Sequence, residues 1–299
     1  MKNIAASVRA RLLNLSRDAG VSLNALMEQF ATGRFLYRLA QSDYRERFVL
    51  KGAQLFRIWG AEEHRPTRDL DFLGYGEATE EAIQKIFTEL TQGVADPPDG
   101  LEWGDVDVVP IRDDVAYGGL RAMLMANLAG ARLKLQIDVG FGDAITPGAH
   151  EREWEGLLSF PSARLLVYPP ETVIAEKLEA AVSLGIENSR MKDFYDLHWL
   201  RSHLDFDGET LAEAVANTFN RRETAIPSGA PLALTEEFAH DERKVVQWNA
   251  FVRKGKLTET PLVEVIDSLS NFLLPVIRKK VTKQKWSPSM GWHSHPKTS

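Results

Sequence analysis

The segment FVLKGAQLFRIWGAEEHRPTRDLDFLG, residues 48–74, contains the most informative local signals of the chain. Its apolar first residues predict a strand that turns at Gly52, because glycine adopts positive φ angles without a steric penalty. Residues 53–59 favour a helix of about two turns, whose N-terminus would present unpaired N–H groups to a phosphate. After a basic loop, residues 67–72 predict a second strand.

Two aspartates, Asp69 and Asp71, lie on this second strand. Side chains alternate between the faces of a strand, so both carboxylates point the same way, about 7 Å apart, while Leu70 and Phe72 enter the core. Two such carboxylates repel each other unless a cation lies between them. Mg²⁺ binds carboxylates together with phosphate oxygens. The pattern therefore predicts a metal-dependent phosphate site built on a strand.

A further aspartate lies on the clearest strand pattern of the chain. Apolar and polar residues alternate strictly over residues 131–139, which predicts a half-buried strand with Asp138 near the end of its polar face. Another Asp-x-Asp pair, Asp105 and Asp107, has no glycine turn or short helix before it. We interpret that pair as polar residues of an edge strand.

The patterns change at Tyr168-Pro169-Pro170. Before this point the chain mixes strands and helices, including two helices ahead of residue 48, and after it the apolar spacing is almost wholly helical. The sequence thus predicts an α+β (α/β) protein. A small mixed-sheet core with N-terminal helices would occupy residues 1–168, and a helical domain residues 169–280. Residues 281–299, rich in Ser, Pro, His and Lys without periodicity, predict a disordered tail.

The helical half contains a second group of charged residues. Lys177 borders the apolar stripe of its helix, while Asp193 and Asp196 share one face of the next helix. One interpretation is a surface ion pair between neighbouring helices, which would contribute little energetically. The other is a lysine that contacts a bound phosphate and is positioned by the aspartates.

Composition excludes several classes of site. Because the 299 residues include no cysteine, disulfides, zinc–thiolate sites and cysteine nucleophiles are ruled out. The seven histidines form no HExxH-like pair. The sequence contains no run of eighteen apolar residues, so it predicts no membrane-spanning helix. We therefore expect a cytoplasmic protein without a membrane partner.

Positive charge is concentrated in two places, although the net charge is −6. The N-terminal part carries many arginines, among them Arg9, Arg11 and Arg17. A second basic cluster comprises Arg278, Lys279, Lys280, Lys283 and Lys285. Such patches fit contacts with RNA phosphates. They equally fit solvated helix faces and a helix C-terminus favoured by the helix dipole.

These motifs resemble a known family. A glycine turn, a short helix and Asp-x-Asp resemble the nucleotidyltransferase superfamily. The motif KGA-x-L followed by RPTRDLDF resembles the AbiEii/AbiGii branch of this superfamily. That branch comprises the toxins of type IV toxin–antitoxin systems and includes MenT-type toxins. The segment PPETVIAEKLEAAVSLGIENSRMKDFYDLHWL, residues 169–200, resembles another block of that branch.

This resemblance implies an Mg²⁺-dependent nucleotidyltransferase, with Mn²⁺ as an alternative cofactor, that moves a nucleotide from an NTP to an acceptor hydroxyl. It implies the end of a tRNA as the acceptor, a block of translation and growth, and a cognate antitoxin encoded separately. Other acceptors stay open, namely a small molecule such as an aminoglycoside, or protein hydroxyls. A further alternative is an inactive module that binds nucleotide or RNA.

The resemblance also implies roles for individual residues. The implied metal ligands are Asp69, Asp71 and Asp138, and the implied catalytic set adds Lys177, Asp193 and Asp196. The implied nucleotide-binding residues are Gly52, Ala53, Arg65, Thr67, Arg68 and Lys177. The chain departs from the family pattern in one respect. After the first strand, members of the superfamily often have Gly-Ser and members of this branch often have Gly-Gly-Thr, whereas Gly52-Ala53-Gln54 has no hydroxyl residue.

Overall fold

The computed structural model describes residues 3–60, 64, 65, 67, 69–111 and 118–294. The chain groups into two compact units, Met1–Asp143 with Ala149–Tyr168, and Ala144–Gly148 with Pro169–Ser299. Residues 144–148, which the sequence placed in the first domain, therefore group with the helical half of the chain.

The described residues of the first unit form four α-helices and a seven-stranded sheet. The helices are α1 (Ile4–Ala19), α2 (Leu23–Ala40), α3 (Gln54–Ile58) and α4 (Glu80–Gln92). The strands are β1 (Phe48–Lys51), β2 (Leu70–Gly74), β3 (Leu101–Ile111), β4 (Gly119–Leu128), β5 (Ala131–Phe141), β6 (His150–Trp154) and β7 (Ala163–Val167). The predicted α+β class is confirmed.

The sheet is mixed, with strand order β3-β4-β5-β2-β1-β7-β6. β2 runs parallel to β5 and β1 parallel to β7, whereas the other neighbours are antiparallel. Helices α1, α2 and α4 pack on the sheet. On β5, Leu135, Ile137 and Val139 are buried. The alternate residues, among them Asp138, therefore lie on the opposite face.

Local signals explain where the helices of this unit begin and end. Asn3 accepts a hydrogen bond from the N–H of Ala6 at the start of α1, and Gly20, with φ 66°, ends that helix. Thr79 caps α4 by accepting from the N–H of Ala82. Helix α3 has five residues and is shorter than the sequence predicts. The N-terminus of this shorter helix would therefore stabilise a bound phosphate less than expected.

Strands β6 and β7 were not predicted. Each has five residues, and β6 carries three charged residues with only Trp154 buried. On β7 the alternate residues Ala163, Leu165 and Val167 are buried. A segment as short and polar as β6 gives a weak alternation signal.

The described residues of the second unit form six α-helices and three short strands. The helices are α5 (Pro170–Leu184), α6 (Met191–His203), α7 (Gly208–Arg221), α8 (Glu236–His240), α9 (Glu242–Gly255) and α10 (Leu262–Ile277). The strands are β8 (Phe206–Asp207), β9 (Gln284–Ser287) and β10 (Gly291–Ser294). Its core includes Leu178, Leu197, Leu211 and Leu269, which are fully buried. None of the helices in the described ranges is long and apolar enough to cross a membrane.

The expectation of a disordered tail is wrong for residues 284–294. β9 pairs with both β8 and β10 in an antiparallel sheet. The indole N–H of Trp286 donates to the carbonyl of Arg201 at 2.7 Å, and that of Trp292 donates to the carbonyl of Phe272 at 2.9 Å. Two separated tryptophans produce no periodic pattern, yet both rings pack against Phe272, and burial of their large apolar surfaces stabilises the segment. Residues 295–299 lie outside the described residues.

Candidate active site

A row of four charged residues crosses four neighbouring strands of the sheet. Lys51 of β1 is in register with Asp71 of β2, Asp71 with Asp138 of β5, and Asp138 with Arg121 of β4. Register partners present their side chains on one face of the sheet, with adjacent strands about 4.8 Å apart. This charge row therefore places two carboxylates side by side between two cations.

Gly52 follows β1 and lies directly against Asp71. Its φ of +73° falls in the left-handed region that favours glycine, so the predicted turn is present. A Cβ built on Gly52 would lie 2.1 Å from Oδ2 of Asp71. Any other residue at this position would have to displace the carboxylate, and glycine is thus required for space as well as for conformation.

Asp138 is held by a bidentate ion pair with Arg121. The guanidinium donates from Nε to Oδ1 at 2.8 Å and from Nη2 to Oδ2 at 2.7 Å. Gln136 adds a longer hydrogen bond of 3.5 Å from Nε2 to Oδ1. The side chains of Arg121 and Asp138 keep 37% and 20% of their surface exposed, so water reaches this pair.

Lys51 forms a second ion pair at the other end of the charge row. Its Nζ lies 2.8 Å from Oδ2 of Asp143, which follows β5. The same ammonium lies 5.1 Å from the centre of the ring of Tyr168, a cation–π contact. Lys51 is therefore fixed from two sides and supplies positive charge next to Asp71.

Asp69 lies immediately before β2 and is exposed, whereas Asp71 is half-buried within the strand. Leu70 and Phe72 enter the core as expected. Among the described residues, no three Asp, Glu, His or Cys side chains are grouped closely enough to hold a metal ion. The predicted set of three metal-binding carboxylates is thus not assembled in this conformation.

The donor chemistry of this part of the sheet nevertheless fits a divalent cation. Asp71 and Asp138 supply carboxylate oxygens from adjacent strands, and Asp69 is two residues from Asp71. Mg²⁺ prefers oxygen ligands and is usually bound by one or two carboxylates together with substrate phosphates. Because Gly52 has no side chain, its backbone and the Asp71 carboxylate approach closely without a clash.

Apart from Gly52 and Lys177, the residues predicted to bind nucleotide lie between β1 and β2 in the sequence. Ala53 is buried at the start of α3 and makes no capping hydrogen bond with its side chain. Arg65 and Thr67 are half-buried in the loop before β2. Arg68 lies outside the described residues. The contacts of all four with a nucleotide stay a prediction.

The second Asp-x-Asp pair occupies an edge strand, as the sequence predicts. Asp105 and Asp107 are exposed on β3, the outermost strand on that side of the sheet. Asp107 is in register with Met123 and not with another carboxylate. Nothing in this arrangement pairs two carboxylates as the charge row does.

In the second unit, Lys177 of α5 binds both aspartates of α6. Its Nζ lies 2.5 Å from Oδ1 of Asp193 and 2.8 Å from Oδ2 of Asp196. The exposed fraction is 14% for the Lys177 side chain, 10% for Asp193 and 0% for Asp196. The predicted ion pairing is present, but it forms a buried triad and not a surface pair.

The buried triad keeps Lys177 charged. Burial alone would lower its pKa, but the charges and hydrogen bonds of Asp193 and Asp196 outweigh burial and raise the pKa above that of an ordinary lysine. Lys177 is therefore an ammonium throughout the neutral range. It can stabilise negative charge, and it cannot act as a base near neutral pH.

Three residues beside the paired carboxylates were not predicted, namely Lys51, Arg121 and Asp143. Lys51 stands next to the glycine turn, so its position in sequence could have drawn attention to it. Arg121 lies on β4, and only the register of β4 against β5 brings it to Asp138. Asp143 follows a turn, and sequence alone gives no direction for its side chain.

Comparison with known proteins identifies similar sequences and folds. A sequence model of the family described as nucleotidyl transferase AbiEii toxin, type IV toxin–antitoxin system, matches residues 34–273. The crystal structure of a proposed nucleotidyltransferase from H. pylori is 19% identical, covering 87% of this chain and 97% of that chain with a TM-score of 0.52. The crystal structure of JHP933 from Helicobacter pylori is 18% identical, covering 86% of this chain and 94% of that chain with a TM-score of 0.52. At these identities the two structures show a shared fold alone. No curated protein matches this sequence.

Proposed function

Since this chain belongs to the AbiEii family of nucleotidyl transferase toxins of type IV toxin–antitoxin systems, we propose that it moves a nucleotide from an NTP to an acceptor hydroxyl at the end of a tRNA. The hydroxyl would attack the α-phosphorus of the NTP, the bond between the α- and β-phosphates would break, and pyrophosphate would leave. Such a modification would block translation and growth. Membership of the family supports transferase activity, and it implies an NTP substrate and a separate antitoxin. Members of the family typically use a divalent metal.

The observation that carries the proposal is the pairing of Asp71 with Asp138 on adjacent strands, with Lys51 and Arg121 at the two ends of the row. Nucleotidyl transfer depends on positioning and on neutralising charge at the phosphates, with little covalent work for the protein. Paired carboxylates on rigid strands suit the first need, and flanking cations suit the second.

In the proposed site, Asp69, Asp71 and Asp138 hold a divalent cation, Mg²⁺ or alternatively Mn²⁺. When bound, such an ion neutralises the phosphate oxygens and aligns the attacking and leaving groups. We assign the triphosphate to the turn at Gly52 and Ala53 and to the loop residues Arg65, Thr67 and Arg68. Guanidinium groups bind phosphate oxygens in a bidentate geometry, which favours arginines for this role.

We propose a catalytic role for Lys177 as well, with Asp193 and Asp196 as the residues that position it. Its raised pKa supports this role, because a permanently charged ammonium can stabilise the charge that develops on a transferring phosphate. A buried ion-pair network could instead serve the fold alone. The two roles are separated below by comparing the stability and the activity of variants.

The exposed basic residues support a polyanionic acceptor. Arg278, Lys279, Lys280, Lys283 and Lys285 are all exposed around the end of α10 and the start of β9. Arg9, Arg11 and Arg17 are exposed on α1, although Arg9 and Arg11 also donate to the carbonyls of Ala129 and Leu158. RNA phosphates would release counterions on binding such patches, which makes affinity depend steeply on salt.

The test of the proposal is a transfer assay. The protein is incubated with total tRNA, each labelled NTP in turn, and magnesium, and the RNA is examined for label. Transfer to tRNA should require the divalent ion, and tRNA binding should weaken with added salt. Label on an aminoglycoside or on protein, with none on RNA, would move the acceptor to one of the alternative classes. Binding of NTP or RNA without any transfer would indicate an inactive module.

A further inference from the structure

We infer that Arg121 is a gate on the divalent-cation site, holding Asp138 away from Asp71 until a cation displaces it. The inference rests on the proposed function, because it concerns the carboxylates assigned there to the metal. It adds a residue on β4 that competes with the cation for one of its own ligands.

The direction of the Asp138 oxygens carries the argument. Arg121 forms two hydrogen bonds, one to each oxygen, and both donors come from β4. Asp71 is in register with Asp138 from the other side, on β2. Because the Arg121 guanidinium donates to both oxygens, it turns the Asp138 carboxylate toward β4 and therefore away from β2. A cation shared by Asp71 and Asp138 would bind the Asp138 carboxylate from the β2 side, opposite to the side that Arg121 occupies.

The state of the neighbouring residues agrees with this orientation. No three acidic, histidine or cysteine side chains among the described residues are gathered for a metal, although Asp71 and Asp138 are in register. The register of β2 and β5 places the two residues on adjacent strands, so the backbone spacing allows a shared cation and the directions of the side chains decide whether it binds. A rotation of the Asp138 side chain is therefore the movement that binding needs.

The ion pair is also weak enough to be exchanged. Arg121 is 37% exposed and Asp138 20% exposed. Water and salt screen such a pair, so a divalent cation with a second carboxylate beside it can replace the guanidinium. The released guanidinium keeps its two-pronged donor geometry and becomes available to a phosphate of the substrate. The gate thus couples arrival of the cation to exposure of a phosphate ligand.

The experiment measures binding of Mn²⁺ to the full chain without nucleotide, by electron paramagnetic resonance of the free ion. Arg121→Gln removes both the positive charge and the bidentate hydrogen bonds of the guanidinium. Arg121→Lys keeps the positive charge but cannot form the bidentate hydrogen bonds. The matched control is Arg132→Gln. It removes an exposed arginine that lies on the same face of β5 as Asp138 but is in register with Asn127. Asp71→Asn reports whether the ion is bound at the charge row at all.

Arg121→Gln should bind Mn²⁺ about fivefold more tightly than the wild type, the size expected for loss of one partly exposed competing ion pair. Arg121→Lys should fall between the two, and Arg132→Gln should match the wild type. Added Mn²⁺ should also raise the melting temperature of Arg121→Gln more than that of the wild type, because the stabilisation follows affinity. That readout confirms that the variant is folded.

Other outcomes separate this inference from the proposed function. If Asp71→Asn loses Mn²⁺ binding while Arg121→Gln binds as the wild type does, or more weakly, the site stands and the gate is wrong. Weaker binding would show that Arg121 orients Asp138 for the metal. If Asp71→Asn binds as the wild type does, or if no variant binds the ion, the metal site and the gate both fail.

Discussion

The charge row and the buried triad both pair lysine or arginine with aspartate, but they differ in their access to water. Asp138 in the charge row keeps 20% of its side chain exposed, and its partner Arg121 keeps 37%. Asp196 in the buried triad is fully buried, and its partner Lys177 keeps 14%. The Arg121–Asp138 pair of the charge row can exchange its partners for other ions at little cost. Breaking the buried triad would leave charge in a low-dielectric interior.

Two groups of similar composition can therefore serve different needs. An exchangeable row suits ligands that arrive and leave, as a metal and a triphosphate do. A buried network suits a charge that has to be present at all times and in one place. Variants of both groups test this distinction.

Asp71→Asn should reduce transfer by about a thousandfold, because it removes one of the carboxylates proposed to hold the cation that neutralises phosphate charge. The fold should persist, since Asp71 is only half-buried. The measurement is single-turnover transfer together with circular dichroism. Asp107→Asn is the matched control, because it makes the same change on exposed edge strand β3. Equal activity in the two variants would remove the charge row from the chemistry.

Lys177→Met should lower the free energy of unfolding by about 3–5 kcal/mol, because it leaves two buried carboxylates without their cation. Denaturant unfolding measures this loss. A triple variant with Asp193→Asn and Asp196→Asn should recover much of the stability, since no unpaired charge is left. If the triple variant is stable and also active, the buried triad serves only the fold. A loss below ~1 kcal/mol in Lys177→Met would mean that the triad behaves like a surface pair.

Gly52→Ala should cost about 1–2 kcal/mol in backbone strain and should also reduce transfer, because the new methyl group meets Oδ2 of Asp71 at 2.1 Å. Gly130→Ala is the matched control. Gly130 has φ +83°, and none of the described atoms would lie within 4 Å of its added Cβ. The control should lose similar stability and keep its transfer rate. Equal rates in the two variants would show that Asp71 tolerates displacement.

The smallest effect is expected from pH. The raised pKa of Lys177 means that its stabilising contribution is fully present below the ordinary pKa of lysine, about 10.4, and is lost only as pH rises through the folded-state value. The difference in unfolding free energy between the wild type and Lys177→Met should therefore be flat from roughly pH 7 to pH 9. A rise of this difference with pH within that interval would show that the folded-state pKa of Lys177 is lowered and not raised.

The sequence predicted those parts of the structure that depend on local chemistry. Strict alternation identified β5 and the polar face that carries Asp138, and a spacing of three residues placed Asp193 and Asp196 on one side of α6. The glycine turn was predicted from conformation alone. In each case the signal lies within one element, where side-chain periodicity decides direction.

What could not be predicted depends on contacts between elements. The pairing of Arg121 with Asp138 follows from strand register, which many alternative alignments of β4 and β5 would satisfy locally. The burial of the triad depends on how α5 and α6 pack, and a charged residue in sequence gives no sign of a covered position. The same limit applies to α3, whose length is set by its surroundings more than by propensity.

The last strands change how the end of the chain should be handled. The composition of residues 281–299 suggests that the protein could be shortened to end near residue 280. Such a truncation would remove both indole N–H donors that bind the carbonyls of Arg201 and Phe272. It would also uncover Phe272, whose ring centre lies 4.6 Å from that of Trp286 and 5.7 Å from that of Trp292. A truncated preparation would be expected to aggregate. An affinity label attached after residue 294 would leave these contacts in place.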